Sequence, residues 1–486
     1  MATALPRRSL LRLALSTTAL AAAGRLASAQ AVRPLAERLA DYADRLRYDD
    51  LDAATVERVK AHVIDTLGCG IAALDEPPVR ICRDVALAPG SGIATVIGST
   101  KRSTVELASF ANGAAFRYYD LNDSYASATS GAVHPSDHVS ACLAVAEGER
   151  ASAAELITAI VLAYEINCRL LDACDAATRG WDLPVFSLPA VALAAGKLMK
   201  LPVPRLTQAV NLALNDHIPM GQTRTQTNSD WKGFADAEAG RNAIFAATLA
   251  RGGITGPAPI FEGRKGFFQL VASPAEVDVG AFGGRNAPFK VHQCGMKAYP
   301  AVVYSQTTIV AAIAAAKEIG DLERIAAIEI ATTRRGYEQA GRDVEKWTPQ
   351  NRDTADHSLP YLTARAMHDG DIDNASYAAD RLKDPRILAF MRKITVKEDP
   401  AFAKPKGNAP STRLTITLSD GRQVIRQVDD MPGFPGKPMS RDDIARKFRG
   451  NVGARWPAQR TETVLQSLWS LEKLENLSSL LGQLAA

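Results

Sequence analysis

A polar stretch at residues 117–140 contains the side chains of this chain best suited to proton transfer. It reads R-Y-Y-D-L-N-D-S-Y-A-S-A-T-S-G-A-V-H-P-S-D-H-V-S and includes Asp120, Asp123 and His134. Carboxylates beside an imidazole are common participants in general acid–base catalysis. The spacing alone fits an Asx-rich turn followed by a helix start at His134 equally well. The stretch is therefore a candidate catalytic site, with a structural turn as the alternative.

Two lysines in separate polar motifs are candidates for binding an anion. Lys232 lies in W-K-G at the predicted opening of a helix, where the ammonium and the helix dipole both favour negative charge. Lys297 begins K-A-Y-P at the entry to a second predicted domain, and ligands commonly bind between domains. A solvated side chain is the alternative for Lys232. Together the lysines favour a small anionic ligand.

Two further polar segments follow, and either is also consistent with an ordinary loop. One is R-R-G-Y, with Arg334, Arg335 and Tyr337, and the other is D-T-A-D-H-S-L-P-Y, with His357. The sequence contains no Gly-x-Ser-x-Gly, Walker or dinucleotide-binding motif. This argues against a serine hydrolase, a nucleotidase and a Rossmann enzyme.

Composition excludes several other classes of protein. The 486 residues are 47% hydrophobic and 23% charged, which is typical of a soluble globular protein with room for two domains. A formal net charge of +4 is too close to balance to indicate a nucleic-acid surface. The six cysteines form no C-x-x-C pair, so we expect buried thiols and no metal site, with a disulfide left open if the protein is exported.

The N-terminus resembles a twin-arginine signal peptide over residues 1–31. Paired Arg7 and Arg8 precede an Ala-rich apolar run, and A-S-A at residues 27–29 offers a cleavage site, with cleavage after Ala31 as the second choice. The run is too short for a convincing membrane span. We therefore predict a periplasmic protein without stable membrane insertion after cleavage. A cytoplasmic protein with an uncleaved extension is the alternative.

Helical patterns dominate the first half of the chain. Apolar residues recur at three- and four-residue steps over 32–70, 104–118 and 188–214, and Ser152 to Glu155 forms a capping box before an apolar helix. No alternating strand pattern is evident in this half. A Gly- and Pro-rich break after Phe282 predicts a domain boundary.

The pattern changes after that break. A helix at 301–317 is followed by predicted strands at 325–332 and 394–397 and by a hairpin over 414–428 with Asp-Gly at its turn. Helices return at 441–448 and 461–484. The predicted fold is mainly α: a large all-helical domain from residues 32–285 and 431–486, plus a smaller α+β lid domain at 286–430.

These motifs together resemble the MmgE/PrpD family of carboxylate-metabolising enzymes. The resemblance rests on V-I-D-T-L-G-C-G at 63–70, D-L-N-D at 120–123, H-P-S-D at 134–137, W-K-G at 231–233, G-I-T-G-P at 253–257, F-E-G-R-K-G-F at 261–267, K-A-Y-P at 297–300 and D-T-A-D-H-S-L-P-Y at 353–361. It implies a helical domain closed by both chain ends, an α+β lid and a homodimer. It also implies active-site positions at Asp120 or Asp123, His134, Lys232, Lys297 and Tyr337.

The resemblance implies a dehydratase similar to 2-methylcitrate dehydratase, working without a metal or cofactor on a di- or tricarboxylate. Decarboxylase-like members of the family carry a further histidine in the segment corresponding to residues 180–185, and here that segment has none. We expect Lys232, Lys297 and Arg334 or Arg335 to hold carboxylates, with His357 as a further substrate contact.

In this hypothesis, Asp123 or His134 removes the α-proton and the other protonates the departing hydroxyl. Epimerisation, decarboxylation and exported polycarboxylate binding without chemistry are the alternatives. Export is unexpected for a 2-methylcitrate enzyme, which favours another hydroxy- or amino-polycarboxylate as the substrate.

Overall fold

Helices account for most of the described chain. This computed structural model describes residues 33–127, 130–273, 275–284, 287–403, 409–474 and 476–485. The predicted signal peptide at residues 1–31 lies outside that part. Among the described helices, none combines the length and the apolar character needed to cross a membrane.

The helices of the first part enclose one extensive hydrophobic cluster. They are α1 (Leu35–Arg45), α2 (Ala53–Ala72), α3 (Pro77–Leu87), α4 (Val105–Arg117), α5 (His138–Gly148), α6 (Ala153–Ala173), α7 (Ser187–Leu198), α8 (Val203–Asp216), α9 (Ala235–Gly252) and the short α10 (Phe267–Leu270). Helices α6 and α7 are buried along most of their length, as their apolar sequences predict.

Local capping signals determine where several helices begin. The Asp52 carboxylate accepts a hydrogen bond from the Thr55 backbone N–H at 2.7 Å and opens α2. The capping box predicted for Ser152 and Glu155 is present at the start of α6. These contacts satisfy backbone donors that have no partner within the helix.

Five short strands accompany these helices, and the sequence pattern did not predict them. They are β1 (Ala94–Thr95), β2 (Arg102–Ser103), β3 (Asp123–Ser127), β4 (Gly131–Val133) and β5 (Gly295–Met296). Strand β3 is the centre of a three-stranded antiparallel sheet in the order β4-β3-β5. The mainly helical fold class is confirmed, and this small sheet brings Asp123 beside the segment that precedes Lys297.

The second part combines helices with one four-stranded sheet. Its helices are α11 (Gln306–Ile319), α12 (Arg334–Ala340), α13 (Arg352–Ala355), α14 (Leu359–Asp369), α15 (Ala379–Leu382) and α16 (Pro385–Met391). The strands are β6 (Ile325–Thr332), β7 (Ile394–Glu398), β8 (Thr412–Leu418) and β9 (Gln423–Val428), in the order β7-β6-β8-β9. Only the β6–β7 pair among these is parallel. The predicted strands and hairpin are confirmed.

The C-terminal helices return to the first hydrophobic cluster. They are α17 (Arg441–Val452), α18 (Ala458–Trp469) and α19 (Ser478–Leu484), so the single helix expected over 461–484 is interrupted. The first cluster includes residues from Leu35 to Met296 and again from Ile444 to Leu484, and a second cluster spans Ala301 to Phe434. Lys297 lies in the short segment between the two clusters.

Candidate active site

Asp120 lies in the turn between α4 and β3 and is fully buried. Its φ of +52° is in the left-handed region, which Asp and Asn adopt more readily than most residues. Its Oδ1 contacts both the Arg117 guanidinium and the Lys297 ammonium. Burial raises the pKa of Asp120, but the charges of Arg117 and Lys297 outweigh burial and hold that pKa well below its usual value. Asp120 is therefore an ionised carboxylate held by two cations.

Lys297 contacts Asp120 through a second bond as well. Its Nζ donates to the Asp120 carbonyl oxygen at 2.9 Å, so two of its three N–H donors contact one residue. Burial lowers the pKa of Lys297 to about 8, although the charge of Asp120 raises it. The ammonium is thus charged at neutral pH and loses its proton just above it.

The Asp123 carboxylate is already occupied by protein groups. Oδ2 accepts a hydrogen bond from the Tyr164 hydroxyl at 2.8 Å and lies 3.0 Å from Nδ1 of His62. Oδ1 accepts from the Ser136 backbone N–H at 3.0 Å. Burial raises the pKa of Asp123, but hydrogen bonds from His62 and Ser136 bring it below its usual value. This carboxylate supports neighbouring elements and is poorly placed to take a substrate proton.

His134 follows β4 and precedes the turn that opens α5. Its Nδ1 lies 2.7 Å from the Asp123 carbonyl oxygen, and a carbonyl only accepts hydrogen bonds. Nδ1 therefore carries the ring hydrogen, and Nε2 is the basic nitrogen. Burial and the positive charges of Arg117 and Lys297 place the pKa of His134 well below its usual value. The half-buried ring is therefore neutral at pH 7 and can accept a proton.

A second imidazole, that of His357, approaches Asp120. Nδ1 of His357 is 2.6 Å from Oδ1 of Asp356 and 3.9 Å from Oδ2 of Asp120. The Lys232 ammonium pairs with Asp356 at 2.6 Å and with Asp353 at 3.3 Å. Burial and the charge of Lys232 hold the pKa of His357 well below its usual value, so this ring is neutral as well.

We call the combined set the inner cluster, and it joins both parts of the chain. Its members are Asp120, His134, Lys232, Lys297, Asp356 and His357. Five of the six were predicted from sequence, and Asp356 lies beside the predicted His357. Five segments bring them together: the turn between α4 and β3, the residue after β4, the turn before α9, the segment after β5 and the segment between α13 and α14.

Three members of the inner cluster have a spacing that suits a metal ion. Asp120, Asp356 and His357 each offer one ligand atom within 4.8 Å of the others. Ammonium groups already contact both carboxylates, and their charge lowers the affinity of this set for another cation. The absence of a required metal stays a prediction.

Apart from Asp123, three sequence-predicted residues lie outside the inner cluster. Arg334, Arg335 and Tyr337 are on α12, and within the described residues no side-chain hydrogen bond or ion pair links them to that cluster. Arg334 pairs with Glu338 at 2.9 Å, and Arg335 pairs with Glu338 at 3.0 Å and with Asp175 at 3.3 Å. Their roles in binding and catalysis stay predictions.

The two arginines instead line an outer cleft between the first and second parts of the chain. The cleft has a volume of about 660 Å³, with residues from 177–183 and 220–225 on one side and from 334–343 on the other. Arg224 lines this cleft, pairs with Asp182 at 2.7 Å and donates to the Lys232 carbonyl oxygen at 3.3 Å. It thereby connects the cleft to the inner cluster.

Several supporting residues escaped the sequence reasoning. His62 and Tyr164 approach Asp123 from α2 and α6, and Lys346 donates to Oδ1 of Asn228 at 3.2 Å beside the Lys232 segment. Burial lowers the pKa of Lys346 to about 8. His62 had a usable signal, because it is an ionisable residue flanked by the apolar residues Ala61, Val63 and Ile64. Lys346 had none in its local sequence.

Comparison with known proteins covers most of the chain. Residues 37–279 match the model of the MmgE/PrpD N-terminal domain, and residues 299–471 match that of the MmgE/PrpD C-terminal domain. A 2-methylcitrate dehydratase of Cupriavidus necator is 28% identical over 460 residues, covering 88% of this chain and 92% of that protein. That of Escherichia coli K12 is 26% identical over 454 residues, covering 85% and 89%. A human cis-aconitate decarboxylase is 25% identical over 469 residues, covering 92% and 94%.

Proposed function

Because this chain belongs to the MmgE/PrpD family, we propose that it is a hydro-lyase that removes water from a hydroxy di- or tricarboxylate. The observation that carries the proposal is the neutral His134 imidazole, oriented by the Asp123 carbonyl oxygen beside buried lysines. Relatives named 2-methylcitrate dehydratase are 26–28% identical to this chain and support the same reaction class.

Of the two candidate bases, Asp123 and His134, this proposal assigns the role to His134. The Asp123 carboxylate is buried among Tyr164, Ser136 and His62, and the hydrogen bonds from His62 and Ser136 lower its pKa, so it is a weak base with poor access to a substrate. His134 offers Nε2, because its Nδ1 donates to the Asp123 backbone. Asp123 therefore assists by orienting the imidazole through its carbonyl oxygen.

Lys297 and Lys232 supply positive charge for the substrate carboxylates. Each ammonium has three donors, and two of them contact the acidic residues described above. The third donor of each is assigned to the substrate. Removal of a proton α to a carboxylate places additional negative charge on that carboxylate, and a nearby ammonium stabilises it most in the transition state.

Proton transfer and loss of water follow from this arrangement. Nε2 of His134 takes the α-proton, the electrons of the C–H bond form the carbon–carbon double bond, and the adjacent C–O bond breaks. The imidazolium then returns the proton to the departing hydroxyl, which leaves as water. Side chains of this chain perform every step in this scheme.

Substrate entry requires movement around the inner cluster, because Asp120 and Lys297 are fully buried. We assign the entry path to the outer cleft, where Arg224 lies between solvent and the Lys232 segment. Arg334 and Arg335 line the same cleft, so their positive charge is placed to attract a polycarboxylate before it reaches the cluster.

A second candidate is epimerisation at the same α-carbon, which uses the same base and cations but expels no group. Decarboxylation has less support. The segment 180–185, where decarboxylase-like relatives carry a histidine, here contributes Asp182, whose carboxylate pairs with Arg224 at 2.7 Å. A carboxylate paired with an arginine is a poor substitute for an imidazole in proton transfer.

Substrate screening tests the reaction class. The purified protein is incubated with hydroxy- and amino-polycarboxylates in deuterated water, and we expect ultraviolet absorbance from a conjugated alkene with at least one hydroxy acid. Loss of optical rotation without this absorbance would identify an epimerase, and release of CO2 a decarboxylase. Tight binding without any exchange of substrate protons for deuterium would indicate a binding protein.

The pH dependence of kcat/KM follows from the two shifted pKa values. Lys297 loses its charge as pH rises through about 8, so we expect kcat/KM to fall above that pH. His134 has a pKa well below 6.5 and remains an unprotonated base, so no loss is expected on acidification to pH 6.5. Steady-state rates from pH 5.5 to about 9.5, at constant ionic strength, check this profile. A kcat/KM that stays constant up to about pH 9.5 would contradict the role of Lys297.

We also propose that the mature protein is a periplasmic homodimer. The paired arginines at residues 7 and 8 support export, and the family resemblance supports the dimer. Cell fractionation tests the location, and light scattering of the purified mature protein tests the assembly. Recovery in the cytoplasmic fraction, or a monomeric mass near 50 kDa, would contradict the respective proposal.

A further inference from the structure

Lys447 reaches the back of the inner cluster from the C-terminal helix α17. Its Nζ lies 2.6 Å from Oδ1 of Asp65, 2.9 Å from the Leu121 carbonyl oxygen and 2.8 Å from the Lys297 carbonyl oxygen. An ammonium has three N–H donors, and these three acceptors match them. The burial of Asp65 and of most of Lys447 strengthens each contact.

The two carbonyl groups belong to the backbone segments that carry Asp120 and Lys297. Leu121 directly follows Asp120, and the other acceptor is the carbonyl oxygen of Lys297 itself. The Lys297 side chain also connects the two segments, because its Nζ donates to the Asp120 carbonyl oxygen at 2.9 Å. One ammonium therefore joins the turn after α4 to the segment after β5.

Close packing of two helices places Lys447 at this point. Asp65 lies in the V-I-D-T-L-G-C-G motif of α2, for which catalysis offers no direct use. In the same motif, a Cβ added at Gly68 would lie 3.0 Å from Cδ2 of Phe448, the residue after Lys447. Glycine thus permits the approach of α2 and α17. Burial lowers the pKa of Lys447, but Asp65 outweighs burial and raises that pKa above its usual value.

We propose that Lys447 is a positioning residue that sets the spacing between Asp120 and Lys297, with Asp65 as its buried counter-ion. The expected effect of Lys447 on catalysis rests on the proposed function. The proposal also explains why the C-terminal segment returns to the helical part. Helix α17 supplies Lys447, which holds the backbone segments of Asp120 and Lys297 together. Asp65 likewise gives the α2 motif a role away from the substrate.

Replacing Lys447 with methionine tests the proposal. We expect kcat to fall about 100-fold with a smaller change in KM, because a displacement of about 1 Å at a reacting centre costs on the order of 10² in rate. The single variant also leaves Asp65 buried without its partner, which lowers stability. The double variant Asp65→Asn with Lys447→Met removes that charge, so we expect its melting temperature to recover while kcat stays low.

Arg446→Met is the matched control, because Arg446 is exposed on the same helix and pairs with the nearby Asp443 at 2.9 Å. We expect wild-type kcat and stability for it. If kcat of the double variant recovers together with the melting temperature, Lys447 acts through stability alone and the proposal is overturned.

Backbone hydrogen–deuterium exchange of the substrate-free protein tests positioning without any enzyme assay. We expect faster exchange over residues 118–124 and 295–299 in Lys447→Met and in the double variant. In Arg446→Met we expect the same exchange rates as in the wild type. Unchanged exchange in those peptides overturns the proposal. A wild-type protein that eliminates water from no polycarboxylate refutes the proposed function instead, and the exchange result still decides the role of Lys447.

Discussion

Replacement of His134 with alanine is expected to lower turnover by about 10³-fold, since a positioned general base contributes about 10²–10⁴-fold. The variant loses the basic Nε2, and the occupied carboxylate of Asp123 is unable to replace it. The rate of alkene formation and the rate of deuterium exchange into the substrate measure the effect. Both rates are expected to fall together, because both require removal of the α-proton.

The fold is expected to survive this change. His134 is half-buried, and its ring donates a hydrogen bond to the Asp123 backbone, so loss of that bond should lower the free energy of unfolding by about 1 kcal/mol. His292→Ala is the control, because its Nε2 lies 2.9 Å from the Thr55 hydroxyl, outside the inner cluster. Normal turnover by His134→Ala on the true substrate would show that another group is the base.

Replacement of Lys297 with methionine is expected to lower kcat/KM by about 10³-fold, equivalent to about 4 kcal/mol. The variant loses one substrate-binding ammonium and leaves the negative charge of Asp120 balanced mainly by Arg117. An anionic substrate then meets a less positive site and a less stabilised transition state. Initial rates at several substrate concentrations separate the contributions of KM and kcat.

A matched control separates this effect from general loss of a lysine. Lys290 lies just before β5, and its Nζ contacts Asp172 at 2.7 Å and the Tyr125 hydroxyl at 2.8 Å. Lys290→Met is expected to keep kcat/KM within a few-fold of wild type. The fall in activity near pH 8 should disappear from residual activity of Lys297→Met. If Lys297→Met keeps the wild-type kcat/KM, or if its residual activity still falls near pH 8, the assigned role is ruled out.

Local signals predicted several elements well. The alternation over Ile325–Thr332, the hairpin with Asp-Gly at its turn and the capping box at Ser152 are all present as predicted. Each depends on a few neighbouring residues, such as side chains that alternate across a strand or a hydroxyl that caps a helix. The mainly helical class follows from the same three- and four-residue periodicity.

Elements without a local signal were missed. Strands β3 and β4 lie within the polar stretch around Asp123, where nearly every residue is buried and no alternation of polar and apolar residues marks a strand. β3 owes its central position to partners on both sides, one of which, β5, is more than 160 residues away in sequence. Propensity and pattern carry no information about such a partner.

The sequence by itself determined the family, the mainly helical class and most of the ionisable members of the inner cluster. Only the tertiary structure decided which groups each of them contacts. Tyr164 and His62 come from distant helices to occupy the Asp123 carboxylate, which favours His134 as the base, and α12 keeps Arg334 and Arg335 in the outer cleft. The physical reason is that residue type and spacing reveal chemical capacity, whereas protonation and hydrogen-bond occupancy depend on neighbours brought together by long-range packing.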